Sequence, residues 1–131
     1  MSKVFISYAL SDAPIARRLV TAFRNTDVSG WLDEADVASG DSIASVVRKA
    51  LEEASAVVVL LSPRALDSQW VQFEIGAAEA LGKRIIPVII AGENLEQELP
   101  PILRERQCLD ARGKQASEVV RELEGALSAQ K

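Results

Sequence analysis

Histidine is absent from this sequence, and cysteine occurs once, as Cys108. Without histidine the chain cannot build a Ser-His-Asp or Cys-His nucleophile, nor a metal site made of imidazole rings. A lone thiol excludes an intrachain disulfide and a thiolate zinc cluster, and it fits a reducing compartment, so we expect a cytoplasmic protein. Any chemistry must come from carboxylates, hydroxyls, cations and backbone amides.

Long apolar runs and phosphate-binding glycine loops are also missing. No stretch approaches the roughly 20 residues of a membrane span, and the chain enters a strand pattern at once, without the architecture of a signal peptide. Neither GxxxxGK(S/T) nor GxGxxG occurs. A net charge of -4 argues against direct binding of nucleic acid. We therefore expect a soluble protein that contacts neither membranes nor nucleic acid directly.

Short apolar runs alternate with helical periods along the 131 residues, a length that suits one domain over residues 1–131. This alternation is typical of a parallel sheet with helices on both faces. It predicts a flavodoxin-like three-layer α/β domain whose five-stranded parallel sheet has the order 2-1-3-4-5. The predicted strands are Val4–Tyr8, Trp31–Leu32 approached through Val28, Ala56–Leu61, Arg84–Ile90 and an edge strand at Gln107–Leu109. The first predicted helix follows a cap at Ser11 or Asp12, has Pro14 in its first turn and runs to Phe23. The others are Ile43–Ala54, one from Asp67 or Ser68 to about Gly82, and Ser117–Leu127, with at most a short helix in residues 93–106.

In that order the direction in which successive strands are added to the sheet reverses between the first and third strands. Ligands bind at the carboxyl ends of those two strands. The order nominates two loops, Ser7–Asp12 and Ser62–Asp67. Ser7 and Ser62 can bond a ligand there, although local turn bonding is the favoured interpretation of each hydroxyl taken alone. Ser11 or Asp12 can cap the following helix. A response-regulator receiver needs acidic residues at these strand ends, so serines there argue against that class.

Glu74 stands on or beside the apolar stripe of the third predicted helix, three residues after Val71 and four before Ala78. A carboxylate in that position is costly unless it has partners or borders a cleft. Trp70 lies one turn earlier on the same side, where an aromatic ring suits a nucleoside-like ligand. The alternative, which the pattern alone favours, is a structural ion pair with Lys83 or Arg84.

Five segments in register resemble the Toll/interleukin-1 receptor (TIR) domain of the bacterial type. Val4–Tyr8 resembles the family's first-strand box, and Trp31-Leu32-Asp33 with the acidic loop and Gly40 resembles its second box, the BB loop. Val59–Pro63 resembles the third-strand signature, Ser68–Ile75 the tryptophan-to-glutamate helix motif, and Ile85–Val88 the fourth strand. Each box is weak by itself, but together they cover nearly the whole chain.

The resemblance implies one of two functions, since some TIR domains are signalling scaffolds and others cleave NAD+. In the enzymes a glutamate of the third helix is catalytic, and it matches Glu74. NAD+ is then the substrate, with no metal and no cofactor. The resemblance further implies self-association and a fused or separate sensor domain, with a bacterial antiphage role or a virulence role. It assigns substrate binding to Ser7, Tyr8, Trp31, Asp33, Ser62 and Trp70, and assembly to a polar loop that includes Asp36, Val37 and Gly40.

One departure from the family concerns the residues just after the first-strand box. Many NAD-cleaving relatives carry basic residues there, whereas this chain has Ala9 and Leu10. Arg17, Arg64 or backbone amides are the remaining candidates for contacts with the diphosphate. A non-catalytic TIR scaffold is therefore kept as the alternative, and an enzyme similar to nucleoside deoxyribosyltransferases, which share the fold type and a catalytic glutamate, as a third.

Overall fold

The computed structural model describes residues 2–24, 26, 28–32 and 43–128. Within these residues five strands alternate with helices, and two 3-10 turns lie at Leu10–Asp12 and Leu95–Glu98. The strands are β1 (Ser2–Ser7), β2 (Val28–Leu32), β3 (Ala56–Leu61), β4 (Arg84–Ile89) and β5 (Leu109–Asp110). The helices are α1 (Ala13–Phe23), α2 (Ile43–Glu53), α3 (Pro63–Leu66), α4 (Gln69–Ala80), α5 (Pro101–Arg104) and α6 (Ala116–Ser128).

The described strands form one parallel sheet of order β2-β1-β3-β4-β5, which confirms the predicted flavodoxin-like fold. β1 pairs with β2 on one side and with β3 on the other, and Ser7 lies opposite Val59. The change in winding direction therefore lies between β1 and β3, as predicted. A ligand crevice is expected where these two strands end.

Two apolar layers cover the sheet, one on each face. Alternate strand residues point to opposite faces, so Val57 and Val59 pack in one cluster while Val58 and Leu60 pack in the other. The first cluster includes buried residues of α2 and α4 together with Leu95, Leu99 and Leu103, and the second includes those of α1 and α6. A strand buried on both faces explains the unbroken valine-rich run of β3.

Several element boundaries differ from the sequence-based expectation, most of them by one residue, as where β4 ends at Ile89. β1 ends at Ser7, so Tyr8 follows the strand, and the chain after β3 forms the short helix α3 rather than a loop. That helix forms because Pro63 occupies its first turn and the Ser62 hydroxyl accepts a hydrogen bond from Ala65 N at 3.1 Å. The edge strand, expected at Gln107–Leu109, lies at Leu109–Asp110.

Proline in β4 is compatible with the sheet because of the direction in which its backbone points. Ile90 N donates to Leu61 O of β3, whereas Ile89 O accepts from Ala111 N on the β5 side. Because backbone groups alternate along a strand, Pro87 faces the β5 side, beyond the short stretch that β5 pairs. Pro87 therefore removes no hydrogen bond to β3, and it limits pairing of another strand at this open edge.

No helix in the described ranges has the length and apolar character that crossing a membrane requires.

Arg112 joins the turn after β4 to the end of β5. Its guanidinium donates to Asp110 at 2.8 Å, to Glu96 at 2.6 Å and to the Gly92 carbonyl at 2.7 Å. The hydrogen bonds from Arg112 lower the pKa of Asp110 to about 2 and also lower the pKa of Glu96. The bonds to the two carboxylates stabilise the folded chain most while those groups are ionised, whereas the bond to the Gly92 carbonyl does not depend on their ionisation.

Acid should therefore remove the part of the stability contributed by Arg112 that depends on Asp110 and Glu96. Because the folded-state pKa of Asp110 is depressed, its stabilising effect is present above its unfolded pKa of about 3.9 and is lost as the pH falls towards 2. We expect Arg112→Gln to lower Tm more at pH 7 than at pH 2, where the bond to the Gly92 carbonyl is retained and the bonds to the two carboxylates are weakened. Thermal melts of both proteins between these pH values test this. A Tm difference that stays constant across the range would contradict it.

Candidate active site

Two serines lie at the carboxyl ends of β1 and β3, where the strand order reverses. Ser7 ends β1 and Ser62 directly follows β3, and their exposed fractions are 0% and 3%. Each hydroxyl donates a hydrogen bond of 2.6 Å to a carboxylate on a different segment of the chain. Two serine–carboxylate pairs therefore lie at the position where the strand order nominates a ligand crevice.

Glu74 is the carboxylate that accepts the hydrogen bond from Ser7, through Oε1. It lies in the middle of α4 with an exposed fraction of 0%, beside buried Val71, Ile75 and Ala78. Ser68 begins this helix by accepting a hydrogen bond from Val71 N at 3.2 Å, as predicted. The α4 stripe that packs on the sheet thus carries a fully buried carboxylate at the end of β1.

Burying a carboxylate costs several kcal/mol, because water solvates the charge better than the protein interior does. The two cations proposed as structural partners bond backbone carbonyl groups elsewhere. Lys83 Nζ donates to the carbonyls of Glu52 and Ala54, at 3.0 and 2.9 Å, and Arg84 donates to the carbonyl of Ala126 at 2.7 Å. A costly carboxylate hydrogen-bonded by a serine at a ligand crevice is typical of a functional group.

Asp12 is the partner of Ser62, and sequence reasoning did not find this role. Asp12 occupies the cap position of α1, but its side chain makes no capping hydrogen bond to that helix. Its Oδ2 instead accepts from Ser62 Oγ, while Ser62 Oγ accepts from Ala65 N. The signal available in the sequence is a carboxylate at the end of a nominated crevice loop, where the local pattern indicates a helix cap instead.

The aromatic residues near the crevice differ in exposure. Tyr8 is buried, and Trp70 is half-buried and packs against the core on the α4 face. The Trp70 ring lies 5.6 Å from the Phe73 ring at a tilt of 32°, and Phe73 is 42% exposed. The aromatic pair therefore lies on α4 within one helical turn of Glu74, since Trp70 is four residues and Phe73 one residue before it.

The departure from the family in the β1–α1 turn has a clear structural form. Ala9 is buried, whereas Leu10 is 80% exposed at the apex of the turn. Neither side chain can contact a diphosphate electrostatically. Arg64, in α3 directly after the crevice, is exposed and remains a candidate for that contact.

Several predicted site residues fall in parts of the chain that the structure leaves undescribed. These are the side chain of Trp31 and all of Asp33, Asp36, Val37 and Gly40. Their assigned roles in substrate binding and assembly stay predictions.

A large cavity lies away from the crevice. It measures about 740 Å³, is lined by Gly82–Ile86 and by residues before and within β5 and α6, and does not include Glu74. The cavity opens at the amino end of β4. In this fold ligands bind at the carboxyl ends of the strands, which is the opposite end of the sheet. Among the described residues, no three His, Cys, Asp or Glu side chains are arranged to hold a metal ion.

The sequence model of the TIR domain matches residues 4–124. The chain belongs to the TIR domain family. Among solved structures, the TIR domain of the Toll-related receptor TRR-2 from Hydra magnipapillata superposes with a TM-score of 0.79. The match covers 98% of this chain and 99% of that one at 21% identity, so it shows the shared fold alone.

Two bacterial proteins show similarity over most of this TIR domain. The 2' cyclic ADP-D-ribose synthase BtTIR of Bacteroides thetaiotaomicron is 33% identical over 86 residues, which is 63% of this chain. The putative cyclic ADP-D-ribose synthase TIR2 of Cytobacillus dafuensis is 25% identical over 97 residues, or 69% of this chain. The matched segments make up 30% and 26% of those two proteins, so this TIR domain spans less than a third of either.

Proposed function

We propose that this TIR domain is an NAD+ nucleosidase, which cleaves the bond between nicotinamide and ribose. The observation that carries the proposal is the Glu74 carboxylate, buried on α4 and held at 2.6 Å by Ser7 where β1 ends. Membership of the TIR family and similarity to two proteins named as cyclic ADP-D-ribose synthases support it. Neither a metal nor a cofactor is part of the proposal, because NAD+ itself carries the leaving group.

The proposed reaction needs little machinery. Nicotinamide leaves readily because its ring nitrogen is cationic, and breaking the N-glycosidic bond produces an oxocarbenium-like ribose. The Glu74 carboxylate would hold the ribose hydroxyls and stabilise the developing positive charge. Attack by water would give ADP-ribose, nicotinamide and a proton. Attack by another group of the same molecule would give a cyclic ADP-ribose isomer, nicotinamide and a proton.

The hydrogen bonds of Ser7 and Ser62 decide the role that we assign to each serine. Ser7 donates a hydrogen bond to Glu74, so we assign it first to orienting that carboxylate and only then to contact with ribose. Ser62 already donates to Asp12 and accepts from Ala65 N, so binding substrate through it requires an exchange of partners. Tyr8, Trp70 and the undescribed Trp31 and Asp33 keep their proposed roles as the wall of the substrate pocket, and Arg64 that of a diphosphate contact.

Access to Glu74 requires a motion, because this carboxylate has no exposed surface in the structure. A substrate ribose can reach it only if a covering group moves aside. The resemblance to the TIR family implies self-association, which could move the covering group. We therefore propose that assembly of TIR domains opens the crevice, triggered by a sensor that is fused or separate.

Specific activity should accordingly rise with protein concentration. At low concentration we expect weak nicotinamide release with a lag, and clustering the same amount of protein on beads should raise the rate and shorten the lag. The measurement is the initial rate of nicotinamide release against protein concentration, with bead-bound and free protein compared at equal amounts. A rate strictly proportional to concentration, without a lag, would argue against activation by assembly.

The alternative function is a non-catalytic TIR scaffold, and the observation that favours it is the lack of basic side chains at Ala9 and Leu10, just after β1. In that case the Ser7–Glu74 pair would be structural, and clustered protein would leave NAD+ intact. A deoxyribosyltransferase-like activity is separated by supplying deoxynucleosides in place of NAD+, since only that activity releases a free base from them. For the enzyme we propose a cytoplasmic role in bacterial antiphage immunity, in which NAD+ loss or a nucleotide signal follows infection.

A further inference from the structure

Asp12 makes an unusual choice of partner. It ends the 3-10 turn Leu10–Asp12 and directly precedes α1, and its backbone angles, φ -98° and ψ 8°, are not the extended ones of a residue whose side chain caps a helix. Its side chain instead reaches across the crevice to Ser62, a residue 50 positions away in the chain. The Asp12 carboxylate therefore makes a tertiary contact between the two loops that the strand order nominates.

The Asp12–Ser62 pair, here called the clasp, is short and well ordered by its surroundings. The O–H···O distance of 2.6 Å is that of a charge-assisted hydrogen bond. The Ser62 oxygen also accepts from Ala65 N at 3.1 Å, which fixes its rotamer at the start of α3. Since Ser62 is only 3% exposed, water has little access with which to replace Asp12.

The clasp anchors the far end of the turn that runs from Tyr8 to Asp12. Tyr8 and Ala9 of this turn are buried in the two apolar clusters, whereas Leu10 at its apex is 80% exposed. The turn is closed by the hydrogen bond from Asp12 N to Ala9 O at 2.8 Å, and the clasp then ties it to the segment after β3. Ser7, which holds Glu74, lies at the near end of the same turn.

We propose that Asp12 is a positioning residue for Glu74. Through Ser62 it locks the Tyr8–Asp12 turn across the crevice, and the locked turn keeps the Ser7 hydroxyl directed at Glu74 Oε1. This role rests on the proposed cleavage of NAD+, and Asp12 performs it without touching the substrate. Its loss therefore affects the chemical step more than substrate binding, and asparagine, which keeps an acceptor oxygen for Ser62, preserves most of the effect.

Amide hydrogen exchange of the full chain tests the clasp without reference to activity. Asp12→Ala and Ser62→Ala should each speed exchange of the backbone amides of the turn by about tenfold or more, and the double variant should add little to either. Exchange in β4 should stay unchanged. Asp12→Asn should remain close to wild type, as should Asp67→Ala, which removes an exposed carboxylate at the end of α3. Unchanged exchange in the turn of Asp12→Ala would overturn the proposal.

Kinetics of the clustered protein test the positioning role. Asp12→Ala should lower kcat by about ten- to hundredfold with a change in KM of less than about threefold, while Asp12→Asn and Asp67→Ala stay within about threefold of wild type. An active wild type with unchanged kcat in Asp12→Ala, or a loss confined to KM, would overturn the proposal. If wild type itself releases no nicotinamide, the proposed function fails and the positioning role fails with it, whereas the exchange experiment still decides whether the clasp holds the turn.

Discussion

Replacing Glu74 with glutamine is expected to lower nicotinamide release by about a thousandfold while the domain remains folded. The amide keeps an oxygen that can accept the Ser7 hydrogen bond, but it carries no charge to stabilise an oxocarbenium-like ribose. Removing a buried charge should also leave the free energy of unfolding unchanged or raise it by about 0.5–2 kcal/mol. The two readouts are the rate of nicotinamide release from clustered protein and the denaturant midpoint.

Glu79→Gln is the matched control, because it makes the same change on the same helix. Glu79 lies on the outer surface of α4, where it pairs with Arg106 at 3.1 Å. We expect this variant to keep the activity of wild type. Substantial activity in Glu74→Gln would remove Glu74 from the chemistry, and a marked loss of stability in that variant would indicate a structural role for the charge.

Ser7→Ala is expected to show the second-largest effect, on both stability and activity. It removes the hydroxyl that donates to a fully buried carboxylate, which should lower the free energy of unfolding by about 1–3 kcal/mol. Because Glu74 then loses the group that orients it, we expect nicotinamide release to fall by about ten- to hundredfold. Denaturant unfolding and the clustered activity assay measure the two effects.

A double-mutant cycle shows whether the two residues act as a pair. In Ser7→Ala/Glu74→Gln the carboxylate is gone, so removing the serine should cost less than it does in wild type. We expect a coupling of about 0.5–3 kcal/mol between the two substitutions. Ser55→Ala, an exposed serine before β3, is the control and should change little. Additive effects would mean that the negative charge of Glu74 adds nothing to the strength of the hydrogen bond from Ser7.

The sheet could be predicted from the sequence because its signals are local. The unbroken valine-rich run of β3 is typical of a central parallel strand, and the helical periods between the strands leave few alternatives for strand order. The edges of elements were harder, because they depend on tertiary contacts. β5 lies two residues later than predicted at its start, since its position is set by pairing with Val88 and Ile89.

The site was predictable to the extent that its residues violate a local pattern. Glu74 interrupts an apolar stripe, and this mismatch is visible in the residue pattern of the helix alone. Its bond to Ser7 joins positions 67 residues apart, and the clasp joins positions 50 apart. No periodicity carries such pairings. Asp12 fits a local role as a helix cap, so nothing in its neighbouring residues points to Ser62.

The proposed function requires that this TIR domain cleaves NAD+ when it is assembled. The most direct measurement is chromatography of NAD+ incubated with bead-clustered wild type, with Glu74→Gln on the same beads for comparison. We expect nicotinamide to appear with wild type only, together with ADP-ribose or a cyclic isomer that identifies a hydrolase or a cyclase. Intact NAD+ in a wild-type sample shown to be folded and clustered would contradict the proposal and favour a TIR scaffold.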